Sequence, residues 1–160
     1  MTFTVEDGTG IAGANALIDV AFADAYFALR GNTTWTGTDP EKEAKIVLAT
    51  DYIHFVFGPV LRGTKGSEEQ GLHYPLTTAE EVPEGIKKAC AEYAVRAEQL
   101  AADPVQSNTG RQILSQTISA GEVSRSTTFA QGAASKRLTL PVPDMLMRPF
   151  INAGGAVIRA

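Results

Sequence analysis

A chain of 160 residues that is 44% hydrophobic and carries a formal charge of −4 has the size and apolar content for one domain with a real core plus extensions. The negative balance gives no general attraction to nucleic acid, which favours basic faces, and the pairs Lys87-Lys88 and Lys136-Arg137 read as solvated surface. No run approaches the roughly 18 apolar residues of a membrane span, and Met1-Thr2-Phe3-Thr4-Val5 shows no charged-then-apolar signal pattern, so a soluble protein made inside the cell, without a membrane partner, is expected.

In chain order, residues 2–6 alternate modestly and predict a short strand, followed by a loop over Gly8–Ala14. Asp19 is placed to cap a short helix with Ala21–Arg30 as its body. Phe22, Ala25, Tyr26 and Leu29 recur there at helical spacing as an apolar face. Gly31-Asn32 stops this helix, because Gly tolerates left-handed backbone at a helix end. Trp35 lies in a Thr/Gly loop and is expected to pack down onto the bundle.

The second helix has the clearest opening. Asp39 can cap it, Pro40 suits the first helical position, and Glu41 and Glu43 complement the positive helix start. It is expected to run to Phe57-Gly58-Pro59. Ile46, Ala49, Ile53 and Val56-Phe57 form one apolar stripe; Leu48, Tyr52 and Phe55 form a second. Two stripes suit a central bundle helix or one covered by a neighbouring subunit. A Gly-rich connector from Leu61 to Tyr74-Pro75 leads to a third helix, about Pro83 to Ala101. Its predicted buried side is Ile86, Cys90, Tyr93, Ala94, Ala97 and Leu100.

Beyond Asp103-Pro104 the composition turns polar. Gln112–Ser119 and Glu122–Phe129 flank Ala120-Gly121 and predict a hairpin or long arm with too few large apolar residues to make its own core. Pro141-Val142-Pro143 reads as stiff punctuation, Asp144–Ile151 as a short helix, and Asn152–Ala160 as a Gly154-Gly155 hinge with a β-prone end. The expected fold is mainly α: a small helical bundle over 1–151, with an extended β-hairpin or arm at about 105–140 and an extended C-terminal tail at 152–160.

Little in the chain is arranged for chemistry. Gly8-Thr9-Gly10-Ile11-Ala12-Gly13 fits G-x-G-x-x-G, but Glu6-Asp7 precede it where a dinucleotide fold needs a buried apolar strand, so the match reads as a loop. His54 and His73 lie in no H-E-x-x-H or Cys/His cluster, and no G-x-S-x-G elbow is present. Their expected roles are a satisfied polar helix face for His54 and a loop or interface contact for His73. Cys90 cannot form an internal disulfide and reads as a small core residue. Glu68-Glu69 and Glu80-Glu81 read as loop charges. Tyr26, Phe27, Tyr52, Phe55, Phe57 and Tyr93 sit at core spacing with few cations between them, unlike a single-strand stacking groove. No catalytic, cofactor or metal site is expected, and the chain does not read as an enzyme.

Three blocks together carry a family resemblance. They are Val5-Glu6-Asp7-Gly8-Thr9-Gly10 with Ala23-Asp24-Ala25-Tyr26-Phe27-Ala28-Leu29-Arg30-Gly31-Asn32 and Trp35; Lys45–Tyr52 with Phe57-Gly58, Arg62-Gly63-Thr64-Lys65 and Gln70-Gly71-Leu72-His73-Tyr74-Pro75; and Val82-Pro83-Glu84-Gly85-Ile86-Lys87-Lys88-Ala89 with Leu146-Met147-Arg148-Pro149-Phe150. In this the chain resembles the head–tail connector (adaptor) proteins of tailed phages, in the subgroup labelled DnaT-like single-stranded DNA-binding. It departs at Leu76, where family members commonly carry Arg. The resemblance implies a virion neck protein, made in the host cytoplasm. Such a protein assembles as a ring, typically of twelve copies, beneath the portal protein and above a tail or stopper protein. Double-stranded DNA then passes through the ring without sequence-specific binding. On this reading Tyr52, Phe55, Leu72, His73 and Tyr74 are candidates for the subunit interface. Arg148, Phe150, Ile151, Val157, Ile158 and Arg159 are candidates for the portal contact, the tail pairing with an exposed strand. The alternative is a single-stranded DNA-binding replication factor.

Overall fold

A computed structural model describes residues 2–77, 81–101, 113–119, 124–129 and 139–152. These residues divide into a helical unit, formed by 2–101 with 140–152, and a separate hairpin unit. The mainly α expectation holds. The helical unit contains α1 (Val20–Ala28), α2 (Asp39–Tyr52), α3 (Glu84–Ala94), α4 (Ala97–Ala101) and, after the hairpin strands, α5 (Pro141–Met147).

In the hairpin, β1 (Ile113–Ser119) pairs antiparallel with β2 (Ser124–Phe129), in a register running from Ser119 opposite Ser124 to Ile113 opposite Phe129. Both strands fall where the alternation and Ala120-Gly121 put them.

The capping chemistry fixes the helix starts. Asp19 Oδ1 accepts the Phe22 N–H at 2.7 Å, as expected for α1. For α2 the cap moves one residue earlier than read: Thr38 is the N-cap and Asp39 is already helical. The Glu41 carboxylate accepts from both the backbone N–H and the hydroxyl of Thr38, at 2.7 and 3.0 Å, which is one half of a capping box. At the other end of α1, Gly31 adopts φ +60° and the Asn32 N–H reaches back to the Phe27 carbonyl, closing the helix in the left-handed manner.

The apolar face of α1 is rotated from the expected one. Ala23, Tyr26 and Phe27 are buried, whereas Leu29 is 87% exposed. The spacing fits either face; Trp35 selects between them by folding back so that its ring lies 5.3 Å from Phe27, with Nε1–H donating to Asp24 Oδ1 at 2.7 Å. Residues 2–6 make no strand. A single parallel bridge joins Val5 to Ala16, with the Thr4 carbonyl accepting from Asn15 and Ala16.

The core lies between α2 and α3. Tyr52, Phe57 and Tyr93 cluster with ring centroids 4.9–6.2 Å apart. All six residues expected on the buried side of the third helix are buried, although that helix breaks at Val95-Arg96 into α3 and α4. Pro141-Val142-Pro143, expected as punctuation, instead forms the first turn of α5, where missing N–H groups cost nothing. The Tyr93 hydroxyl donates to Asp144, and Met147 is fully enclosed, which holds α5 on α3.

Candidate assembly surface

The second helix does not continue regularly to Gly58. After Tyr52 it opens into a π turn, Ile53–Phe57, in which the Gly58 N–H reaches the Ile53 carbonyl, and a 3₁₀ turn follows over Gly58–Val60. The wider turn breaks the phase of the predicted second stripe. Tyr52 points into the core, while Phe55 stands 72% exposed beside it in sequence. Leu48 goes elsewhere again. With Phe3, Pro40, Ala44 and Val47 it lines an open groove of about 400 Å³, whose polar edge is Asn15, Glu43 and Asp51.

The connector is a folded element rather than a linker. Lys65 bridges Leu76 in antiparallel fashion, the Gly66 N–H donates to the Pro75 carbonyl and the Thr77 N–H to the Thr64 carbonyl. The Tyr74–Pro75 peptide is cis. Gln70 is buried at the centre of the enclosed loop: its Nε2 donates to the carbonyls of Leu72 and Pro75 at 3.0 and 2.9 Å, and its Oε1 accepts the Ser67 N–H at 2.8 Å. Lys65 Nζ donates to the Gln70 carbonyl. These bonds turn Leu72, Tyr74 and Leu76 inward, and all three are buried. Leu76 is thus an apolar side chain suited to its surroundings.

Three of the five interface candidates, Tyr52, Leu72 and Tyr74, are enclosed by their own chain. Of the five, Phe55 is exposed and His73 half-buried. The structure brings His73 against His54, with ring centroids 6.1 Å apart. Linear spacing hid this pairing, since 18 residues intervene. His54 Nδ1 is buried and makes no hydrogen bond, so its expected role as a satisfied polar face is corrected. Burial lowers the pKa of both imidazoles, and the Lys65 cation pushes in the same direction.

The C-terminal candidates divide. Arg148 is exposed, while Phe150 and Ile151 are half-buried and bound to the body. The Arg62 N–H donates to the Phe150 carbonyl at 2.8 Å and its Nε–H to the Ile151 carbonyl at 2.9 Å; Asn152 bonds Val60 and Leu61. Val157, Ile158 and Arg159 lie outside the described residues. The outward side of α5 instead presents Val142 and Met145, 48% and 62% exposed. They are three residues apart and share a helix face. Sequence reading passed over both, because a Pro-rich segment gave no helical period to read.

The glycine loop is closed to ligands by its own chain. The buried Glu6 carboxylate accepts from the N–H groups of Gly8, Gly10 and Ile11, each at 2.9 Å. Those amides are the donors a phosphate cradle needs. Gly71 then docks the loop onto the connector through its N–H to the Ile11 carbonyl.

Several cations among the described residues are similarly committed. Lys42 pairs with Asp24, Lys88 with Glu84 and Arg96 with Glu92. Arg30 lies over the Tyr26 ring, and Lys45 and Lys65 donate to backbone carbonyls. Among the described residues of the helical unit, Phe55 is the one large aromatic exposed. Among the same residues no group of three or more His, Cys, Asp or Glu could hold a metal ion, and no helix is long and apolar enough to cross a membrane. Cys90 is fully buried against Thr50, and burial pushes its thiol pKa up to about 12.

A family model described as "Putative DnaT-like ssDNA binding protein" matches residues 1–160. No curated protein and no solved structure matches the chain. The match runs from end to end and takes in all three sequence blocks, and the chain belongs to this DnaT-like family.

Proposed function

We propose that this protein is a structural assembly component, not an enzyme: a head–tail connector of a phage neck that forms a ring beneath the portal, extends the DNA channel and meets a tail or stopper protein below. It is assembled in the host cytoplasm and resides in the virion. The order and spacing of the sequence blocks support the phage assignment. The observation that carries the assembly reading is the set of exposed apolar side chains, Phe55 on the π turn and Val142 with Met145 on α5, while Lys42, Lys88, Arg96 and Arg30 are held in internal contacts. Surface apolar groups suit protein partners.

The family description supports a second reading, a single-stranded DNA-binding factor. That activity needs a basic groove with several exposed aromatics on which bases stack. The described residues of the helical unit expose one large aromatic, Phe55. Titrating the purified full chain into a labelled single-stranded oligonucleotide over a range of salt separates the two. The assembly reading expects weak binding with a shallow salt slope; tight binding that weakens steeply with salt would overturn it in favour of the second.

A further inference from the structure

The His54–His73 contact joins two elements that nothing else in their local sequence requires to meet. His54 sits on the π turn and His73 on the buried limb of the connector, with rings 6.1 Å apart. Around them Leu17, Thr50, Ile53, Leu72 and Tyr74 line a void of about 10 Å³, no larger than one water. The fit is close on the far side too: a Cβ on Gly58 would stand 3.0 Å from His73 Nδ1. His73 is flanked by Leu72 and Tyr74, both buried, so it cannot move outward alone.

We propose that His54 and His73 form a proton-sensitive latch that holds the Gly71–Tyr74 limb of the connector on the π turn, closed with both imidazoles neutral and opened when either gains a charge. The charged groups acting on the pair are few. Lys65, from the connector, opposes a positive charge on both rings, and Asp51, from α2, favours one on His54 alone. Each imidazolium also opposes the other. Thr50, Leu17, Ile53 and Leu72 carry no charge, and Tyr74 stays neutral, its phenol pushed up to about 12 by burial. A cation here is therefore poorly compensated.

The sign follows from linkage. Both folded-state pKa values lie below the ordinary 6.5, so the open state binds more protons. Closure is fully favoured above about pH 6.5 and weakens as pH falls below it. Opening swings Leu72 and Tyr74 outward beside Phe55, whose ring already meets His54 edge-on at 5.0 Å. The apolar surface at the π turn then grows.

Hydrogen exchange of the full chain tests this, read on the Gly71 amide, whose N–H bonds Ile11, with α3 amides as the reference. After correction for intrinsic exchange, Gly71 protection should be constant above about pH 6.5 and should be progressively lost between about pH 6.5 and pH 5, because the open limb binds protons that the closed one excludes. The α3 amides should keep theirs. In the double variant His54→Gln, His73→Gln the fall should disappear. Unchanged protection in the parent, or the same fall in the double variant, would overturn the latch. Should the double variant fail to fold, histidine NMR titration of the parent decides: both imidazoles titrate below about 6.5 if the latch exists, and a midpoint at or above that value for either refutes it.

Discussion

At the scale of single residues, the fold depends on a few polar or minimal side chains placed where size or charge leaves no choice. Gly71 is the sharpest case, because a Cβ there would come within 2.8 Å of the carbonyl oxygens of both Ala12 and Ala14. Those are backbone atoms on two sides and cannot both retreat. Gly71→Ala should cost about 1–3 kcal/mol, the usual range for overpacking, read as a lower urea midpoint with unchanged slope. Glu92 is a second case. It is buried on α3, accepts from the Tyr26 hydroxyl at 3.1 Å and pairs with Arg96 at 2.6 Å, so it ties α1 to α3. Glu92→Leu removes an acceptor from both and should destabilise by about 1–3 kcal/mol, towards the lower end because Arg96 is partly solvated. Cys90 gives a test without mutation. With the thiol enclosed and its pKa raised to about 12, a thiol reagent should label it only as fast as the core opens, and rapid labelling of native protein would contradict its placement. The core role of Cys90 was readable from helical spacing. Glu92 was not, because an acid at a core position looks like a surface residue until its partners on other elements are known.

At the scale of elements, regular periods were legible and departures from them were not. The buried face of α3 followed directly from its spacing, as did the two hairpin strands. The π turn was not legible, because one extra residue per turn is masked in a run as apolar as Ile53–Phe57, and it leaves Tyr52 in the core and Phe55 on the surface; Leu48, on the regular part of α2, lines a groove. The connector was legible as Gly-rich and Pro-terminated, but its shape depends on Gln70, a residue whose chemistry is common in solvated loops. The glycine loop behaves similarly: its fold rests on Glu6, just outside the glycine motif. Glu6→Gln would turn an amide N–H₂ toward at least one of three backbone donors. It should cost about 1–3 kcal/mol and raise exchange at Gly8, Gly10 and Ile11 before it affects the α2–α3 core. Equal loosening of loop and core would show that Glu6 does not act locally.

At the scale of the molecule, the described surface suits the proposed role in contact with other proteins. Internal pairs take up Lys42 and Arg96, an internal carboxylate fills the amide cradle, and exposed apolar side chains remain on the π turn and α5. Family membership was legible from three ordered blocks, and the mainly helical fold from periodicity. Which apolar side chains stand exposed was only partly legible, because burial within the chain is a tertiary property: Tyr52, Leu72 and Tyr74 lie in the interior, and Phe55, Val142 and Met145 are exposed. The central claim, that the chain builds a ring on a portal, is tested most directly by electron microscopy of the purified protein mixed with its portal. The account predicts a closed ring of this chain seated coaxially on the portal. Portal particles left bare at saturating protein would contradict it.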